Sequence, residues 1–282
     1  MRAPGSDAGA RAWSSFWEGT ESATNLSAAR VLLASAALWV VLSRYDLPSL
    51  LNLPPEMWQS VTPARRLRFL LGLPVPVERL LYGLLHVSLL GALVGLVPRL
   101  TCFVSGLLLY HFAPLEALIR TPNPYLRGFT IPALGLLILS FVPPRETPRW
   151  PLRLIQLLFC QIYLFAGYSK LVTSGMAWAT VDNIRNYLLI LNQIFLDVPE
   201  TSLGYWMAAR PALCGIVAWA GLAIEFAFPA VLFFPRTRWV LLPVAFLFHV
   251  GNALLFHIFF QNMVLLLLFV DWGALLAAWR SR

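Results

Sequence analysis

Apolar runs long enough to cross a lipid bilayer recur from one end of this chain to the other, and few folds can hold them. A bilayer core of about 30 Å takes about 20 mostly apolar residues as a helix. Eight stretches approach that length, most of their ends marked by charge or proline: Leu26–Val41, Leu80–Val97, Leu100–Ile119, Gly128–Val142, Leu152–Val172, Ala212–Phe234, Trp239–Ile258 and Phe259–Trp279. The fourth is short, and Asp271 interrupts the eighth. With 59% hydrophobic and 12% charged residues, and a mean hydropathy of +0.71, an ordinary soluble domain is excluded. The chain is expected to be all-α, a polytopic integral membrane bundle of about eight transmembrane helices with short interfacial helices. Residues 26–279 form the single transmembrane domain of this reading, and residues 1–25 a polar or interfacial N-terminal segment.

That first segment has no apolar core leading to a small-residue cleavage site, so no removable signal peptide is expected. Trp13, Phe16 and Trp17 suit either a short amphipathic surface helix or a tail. The net charge of +8 does not point to nucleic acid, because the arginines gather at the ends of apolar runs, where they orient and anchor a membrane protein. The short basic loops favour both termini on the cytoplasmic side of a cell membrane. Trp150, Trp206, Trp239 and Trp279 fall near run ends, as an aromatic belt requires. Cys102, Cys160 and Cys214 lie in or beside apolar runs without metal-ligand spacing, so they are expected to be small buried residues. The connections Arg44–Arg79 and Thr173–Arg210 mix charge with aromatic residues and are expected to carry short surface helices.

Ionisable groups inside such runs cost about 2.5–3.5 kcal/mol at a helix centre, so they usually face protein or a wet cavity. The chain has one lysine, Lys170, against twenty arginines. On the topology above, Lys170 and all four histidines, His86, His111, His249 and His257, fall in the non-cytoplasmic halves of their helices. A lone histidine is more often an interhelical hydrogen-bonding group, and a lysine near a helix end can snorkel to water. The neighbours of Lys170 argue for more. Gln156, Tyr163 and Lys170 are spaced by sevens and share one helix face with Gly167. Ala166 and Gly167 allow another backbone to approach that face, so it is expected to look into the bundle.

A second polar face holds His249 and Asn252, three residues apart, with His257 nearly a quarter turn aside. Glu225 lies mid-run in "LAIEFAFP". By depth it is closer to His249 than to Lys170, so it is expected to orient that histidine rather than pair with the lysine. A buried acid hydrogen-bonded between helices is the alternative.

Two stretches carry a family resemblance. The run "YLFAGYSKL", followed by a tryptophan, and the run from Glu225 to Phe256 resemble the membrane part of vitamin K-dependent gamma-glutamyl carboxylase and the wider group of horizontally transferred transmembrane, or HTTM, domains. Lys170 matches the lysine of an Ala-Gly-x-x-Lys-Leu motif. Glu225 matches an acidic position, Arg238 the arginine before the next helix, and His249 with Asn252 a His-x-x-Asn pair. The resemblance implies that Lys170 is a base toward vitamin K hydroquinone, and that a pocket on the outer side admits a reduced quinone and excludes water. Such a task suits lysine, since a guanidinium stays protonated.

The resulting expectation is a quinol-linked site with Lys170 and His249 catalytic and Asn252, Tyr163, Glu225 and His257 binding the cofactor, in a carboxylase-like lyase or quinol-oxidising enzyme. No metal is expected. The expected partners are the lipid bilayer, a quinone, and an exported peptide or protein, with no nucleic acid. The alternative is a non-catalytic membrane protein that binds quinone or lipid, or assists maturation of, or immunity to, an exported peptide. A transporter gains little support, because no inverted repeat is visible.

Overall fold

The computed structural model describes residues 13–44, 73–119, 130–143, 145–194 and 202–281. Among them the elements are helical, apart from an isolated antiparallel bridge between Thr20 and Pro148. Besides the helical residues 13–17, the helices are α1 (Ala23–Arg44), α2 (Val75–Val94), α3 (Pro98–Ile119), α4 (Thr130–Ser140), α5 (Trp150–Ser174), α6 (Val181–Ile194), α7 (Leu203–Ala208), α8 (Pro211–Ala227), α9 (Ala230–Phe233), α10 (Arg238–Phe256) and α11 (Trp272–Arg280). Tighter 3₁₀ segments occupy Gly175–Ala179, Pro235–Thr237 and Gln261–Phe269.

Among the described residues, five stretches are long and apolar enough to cross a membrane: Ala23–Ser43, Val75–Val94, Trp150–Ala179, Pro211–Phe233 and Pro235–Phe256. Each buries only 22–44% of its most apolar window within the protein. The remainder, with residues such as Leu80, Val87, Trp239 and Leu247 largely exposed, is apolar surface of a kind that soluble monomers rarely present. Lipid is its natural solvent, and the all-α membrane reading holds.

Two of the eight apolar runs take a form other than a straight span. The fourth yields only the 11-residue α4 among the described residues. The eighth divides into Gln261–Phe269 and α11, bent by 66°. Asp271 supplies the reason, since its Oδ1 accepts the Ala274 N–H at 3.0 Å and caps α11, starting a new helix where a continuous one would have to bury a carboxylate. The third run forms the 22-residue α3. The Thr173–Arg210 connection does hold short helices, α6 and α7. Most of the Arg44–Arg79 connection lies outside the described residues.

The chain divides into two compact units, Met1–Ile155 with Val270–Arg282, and Gln156–Phe269. In the first, α2 and α3 form an antiparallel hairpin closed by Gly95, which adopts φ 81° and returns its N–H to Gly91. Polar rungs join the two helices. Ser105 Oγ donates to Ser88 Oγ at 2.9 Å, and His111 Nε2 lies 2.9 Å from Glu78 Oε2 with both residues buried. Arg30 of α1 donates to the Ala92 and Leu93 carbonyls, satisfying acceptors that the end of α2 leaves without helical partners. Asn25 ties α1 to α11, donating to Asp271 Oδ1 and accepting from the Gly273 N–H.

The second unit is built on the C-terminal part of α5. Phe159, Tyr163, Phe228 and Phe269 pack as one aromatic core, with ring centroids 4.0–6.0 Å apart. A second cluster, including Leu188, Cys214, Ala218, Leu222 and Leu255, joins α6, α8 and α10. Cys102, Cys160 and Cys214 are all free and buried, as their apolar context suggests.

Candidate functional site

The polar face of α5 looks inward, as the seven-residue spacing predicts. Gln156 is buried and donates to the Leu268 carbonyl at 2.7 Å, tying α5 to the 3₁₀ segment before α11. Two turns on, Tyr163 is buried, and its ring stacks on Phe228 with centroids 4.0 Å apart and planes within 18°. Its hydroxyl lies 2.6 Å from His249 Nε2. The imidazole stacks in turn on Phe260, 4.3 Å away. His249 is thus held edge-on by a phenol and face-on by a phenyl ring, in a dry environment.

At Gly167 the face meets α8. A Cβ at this position would lie 2.9 Å from Phe226 Cε2 and 3.2 Å from Glu225 Cβ, so glycine is what allows the two helices this close. One turn further along α5, the Lys170 ammonium forms an ion pair with Glu225 Oε1. The Lys170 Nζ also sits 4.3 Å from the centroid of the Trp178 ring, in the 3₁₀ segment that ends α5, a cation–π geometry. The lysine side chain keeps 21% exposure and the glutamate 5%.

This pairing corrects one expectation. Glu225 does not orient His249; it pairs with Lys170, and Tyr163 takes the histidine. The reason lies in the close approach at Gly167, which fixes Glu225 Cβ beside α5 and leaves its carboxylate in reach of Lys170. The snorkelling alternative for Lys170 gives way to a specific partner. Glu225 Oε2 is buried and makes no hydrogen bond, so half of the carboxylate is an unsatisfied acceptor in a place where such groups are costly.

The other candidates part company. Asn252 lies one turn beyond His249, but its backbone carbonyl does the visible work, accepting from the N–H groups of His257 and Ile258 as α10 ends. Its side-chain amide makes no hydrogen bond among the described residues. His257 is the residue at which α10 stops, with φ 54°, and its Nε2 contacts Asn192 Oδ1 at 3.2 Å. Arg238 closes the other end of that helix, donating to the Val231 carbonyl at 3.0 Å and the Phe269 carbonyl at 3.3 Å. In the first unit, His86 contacts the Tyr82 carbonyl in the preceding turn of α2, and His111 pairs with Glu78, an acid the reading of apolar runs passes over.

Sequence reasoning also misses Asn192, Phe228 and Phe260. Only a completely buried polar residue in α6 signals the first, and nothing in an apolar run distinguishes the phenylalanines that happen to contact Tyr163 and His249.

Long helices with exposed apolar faces, two of them joined by an acid–amine pair, define a multi-pass membrane protein. Residues 140–272, which contain the whole second unit, match the HTTM domain model. Neither the curated proteins nor the solved structures contain a significant match to the chain.

Proposed function

We propose that the Lys170–Glu225 pair is a proton-accepting site for a lipid-soluble hydroquinone, on the outer side of a cell membrane, in a quinol-oxidising or carboxylase-like enzyme. The observation that carries this reading is the buried, unpartnered Glu225 Oε2 beside a partly exposed amine. A hydroxyl donor is what Oε2 lacks, and a phenolic hydroxyl on an apolar ring is a donor that can arrive through lipid. Vitamin K hydroquinone fits this donor–acceptor demand, and the surrounding Trp178 and Phe226 suit its ring.

The residues divide the work. Glu225 Oε2 receives the hydroxyl hydrogen bond. The proton shared between Lys170 Nζ and Glu225 Oε1 can settle on Oε1, leaving an amine lone pair; when the hydroxyl proton passes to Oε2, the Oε1 proton returns to the amine, which is thereby the base. An arginine in the same place could not do this. Trp178 steadies the protonated amine afterwards. Tyr163 fixes the ring of His249, and the Asn252 amide is free to donate to a ring oxygen. The aromatic core around Tyr163 keeps bulk water from this side of the pair. The bound hydroquinone itself supplies two electrons and two protons, with dioxygen as the acceptor.

A second reading rests on a different observation: the Lys170 charge is already met by Glu225 and Trp178, as a purely structural clamp would have it. The protein would then be a non-catalytic binder of quinone or lipid, or an accessory to an exported peptide. The two readings separate experimentally. Lipids co-purifying with the protein are identified by mass spectrometry, and reduced quinone with oxygen is then added. A co-purified quinone and formation of quinone or its epoxide support the enzyme; phospholipid alone with no turnover supports the clamp.

A further inference from the structure

A second hydrogen-bonding device lies away from the lysine, where α6, α7 and α10 meet. Asn192 has no exposed surface. Its Nδ2 donates to the Leu188 carbonyl at 2.8 Å and the Leu255 carbonyl at 3.1 Å. Both amide hydrogens are therefore used, and the reverse orientation would set oxygen against two carbonyl oxygens. Oδ1 is left to accept, and two groups reach it: Ser202 Oγ at 3.1 Å and His257 Nε2 at 3.2 Å. α7 can lie on this amide only because residue 204 is glycine, since a Cβ there would fall 2.2 Å from Asn192 Nδ2.

The consequence for His257 is chemical. An amide oxygen cannot donate, so His257 Nε2 must carry the hydrogen. In the neutral ring Nδ1 is then the lone-pair nitrogen. No hydrogen bond among the described residues uses Nδ1, and His257 is exposed. The backbone adds an independent sign. His257 sits at φ 54°, in the left-handed region that non-glycine residues occupy at a cost and that tends to mark functional positions. Glycine or asparagine would end α10 more cheaply. Exposed Ile258 and Phe259 flank the ring, so one polar acceptor is set in an apolar surface at the end of a membrane helix.

We propose that His257 Nδ1 is a hydrogen-bond acceptor for a hydroxyl of a lipid-soluble ring, with Asn192 as the positioning residue that fixes its tautomer. This rests on the hydroquinone reading above and names a further contact for the same class of ligand, held by a residue pair separate from Lys170 and Glu225.

The test uses the full chain in lipid nanodiscs with ¹⁵N-labelled histidine, tetramethylhydroquinone as the probe under anaerobic conditions, and His257→Asn to assign the resonance. Asparagine tolerates the left-handed position, so that variant should fold. Three results are expected. The neutral His257 ring carries its hydrogen on Nε2, the Nδ1 resonance moves when the probe is added, and His257→Asn weakens the probe's Kd about tenfold, the equivalent of about 1.4 kcal/mol. Asn192→Leu should mix the two tautomers. A hydrogen on Nδ1, or a probe that binds wild type and His257→Asn equally without moving the resonance, overturns the inference and leaves the hydroquinone reading standing. A probe that does not bind wild type at all overturns both.

Discussion

Lys170 and Glu225, fifty-five residues apart in sequence, form a salt bridge between α5 and α8 at the point where Gly167 lets those helices touch. Removing one partner of a buried pair leaves the other charge without compensation, which typically costs about 3–5 kcal/mol. Lys170→Met alone should therefore destabilise the protein, and Lys170→Met with Glu225→Gln should recover most of the loss. Unfolding of the three variants in detergent, followed by tryptophan fluorescence, checks this; additive losses in the double variant would mean the pair is not coupled.

Gly167 makes a sharper steric prediction. Gly167→Leu would place side-chain atoms where Phe226 and Glu225 already stand, and overpacking of this kind costs about 1–3 kcal/mol. Because the displaced helix carries Glu225, the variant should also lose Lys170 pairing. A melting curve together with the coupling between Lys170 and Glu225 measured in the Gly167→Leu background reads both effects.

Tyr163→Phe removes the hydroxyl that meets His249 while keeping the ring that stacks on Phe228. The expected loss is about 1–3 kcal/mol, since a buried imidazole nitrogen is left without its partner. Any hydroquinone turnover should fall as well, because His249 is freed to rotate. The variant's stability and its turnover are measured on the same nanodisc preparation.

In the first unit, Glu78 and His111 offer a comparison outside the matched domain. Either His111→Leu or Glu78→Leu leaves one polar group buried alone, and the double variant should be more stable than at least one single variant. A double-mutant cycle gives the coupling directly; a value near zero would mean that the contact contributes nothing.

How much of this was legible beforehand follows from what each signal encodes. Membrane insertion and the inward face of α5 are properties of spacing within one helix, and apolar run lengths together with Gln156, Tyr163, Gly167 and Lys170 at seven- and four-residue intervals expressed them. Pairing between helices is not encoded that way. Depth alone ranked His249 as the partner of Glu225, whereas the contact is decided by how closely α5 and α8 approach at a single glycine. Asn192 escaped for a related reason, because its importance comes from carbonyls at Leu188 and Leu255 that no side-chain pattern reveals. The bend at Asp271 was visible as an interruption, but that the acid caps a new helix depends on where the chain turns.

The measurement closest to the central claim compares wild type with Lys170→Arg, purified into nanodiscs and supplied with vitamin K hydroquinone and oxygen. Wild type should oxidise the hydroquinone, and Lys170→Arg, with its helical content unchanged, should leave oxidation at the protein-free rate, since the guanidinium keeps the charge and cannot serve as the base. Equal turnover by the two proteins would contradict the role of Lys170 as the base.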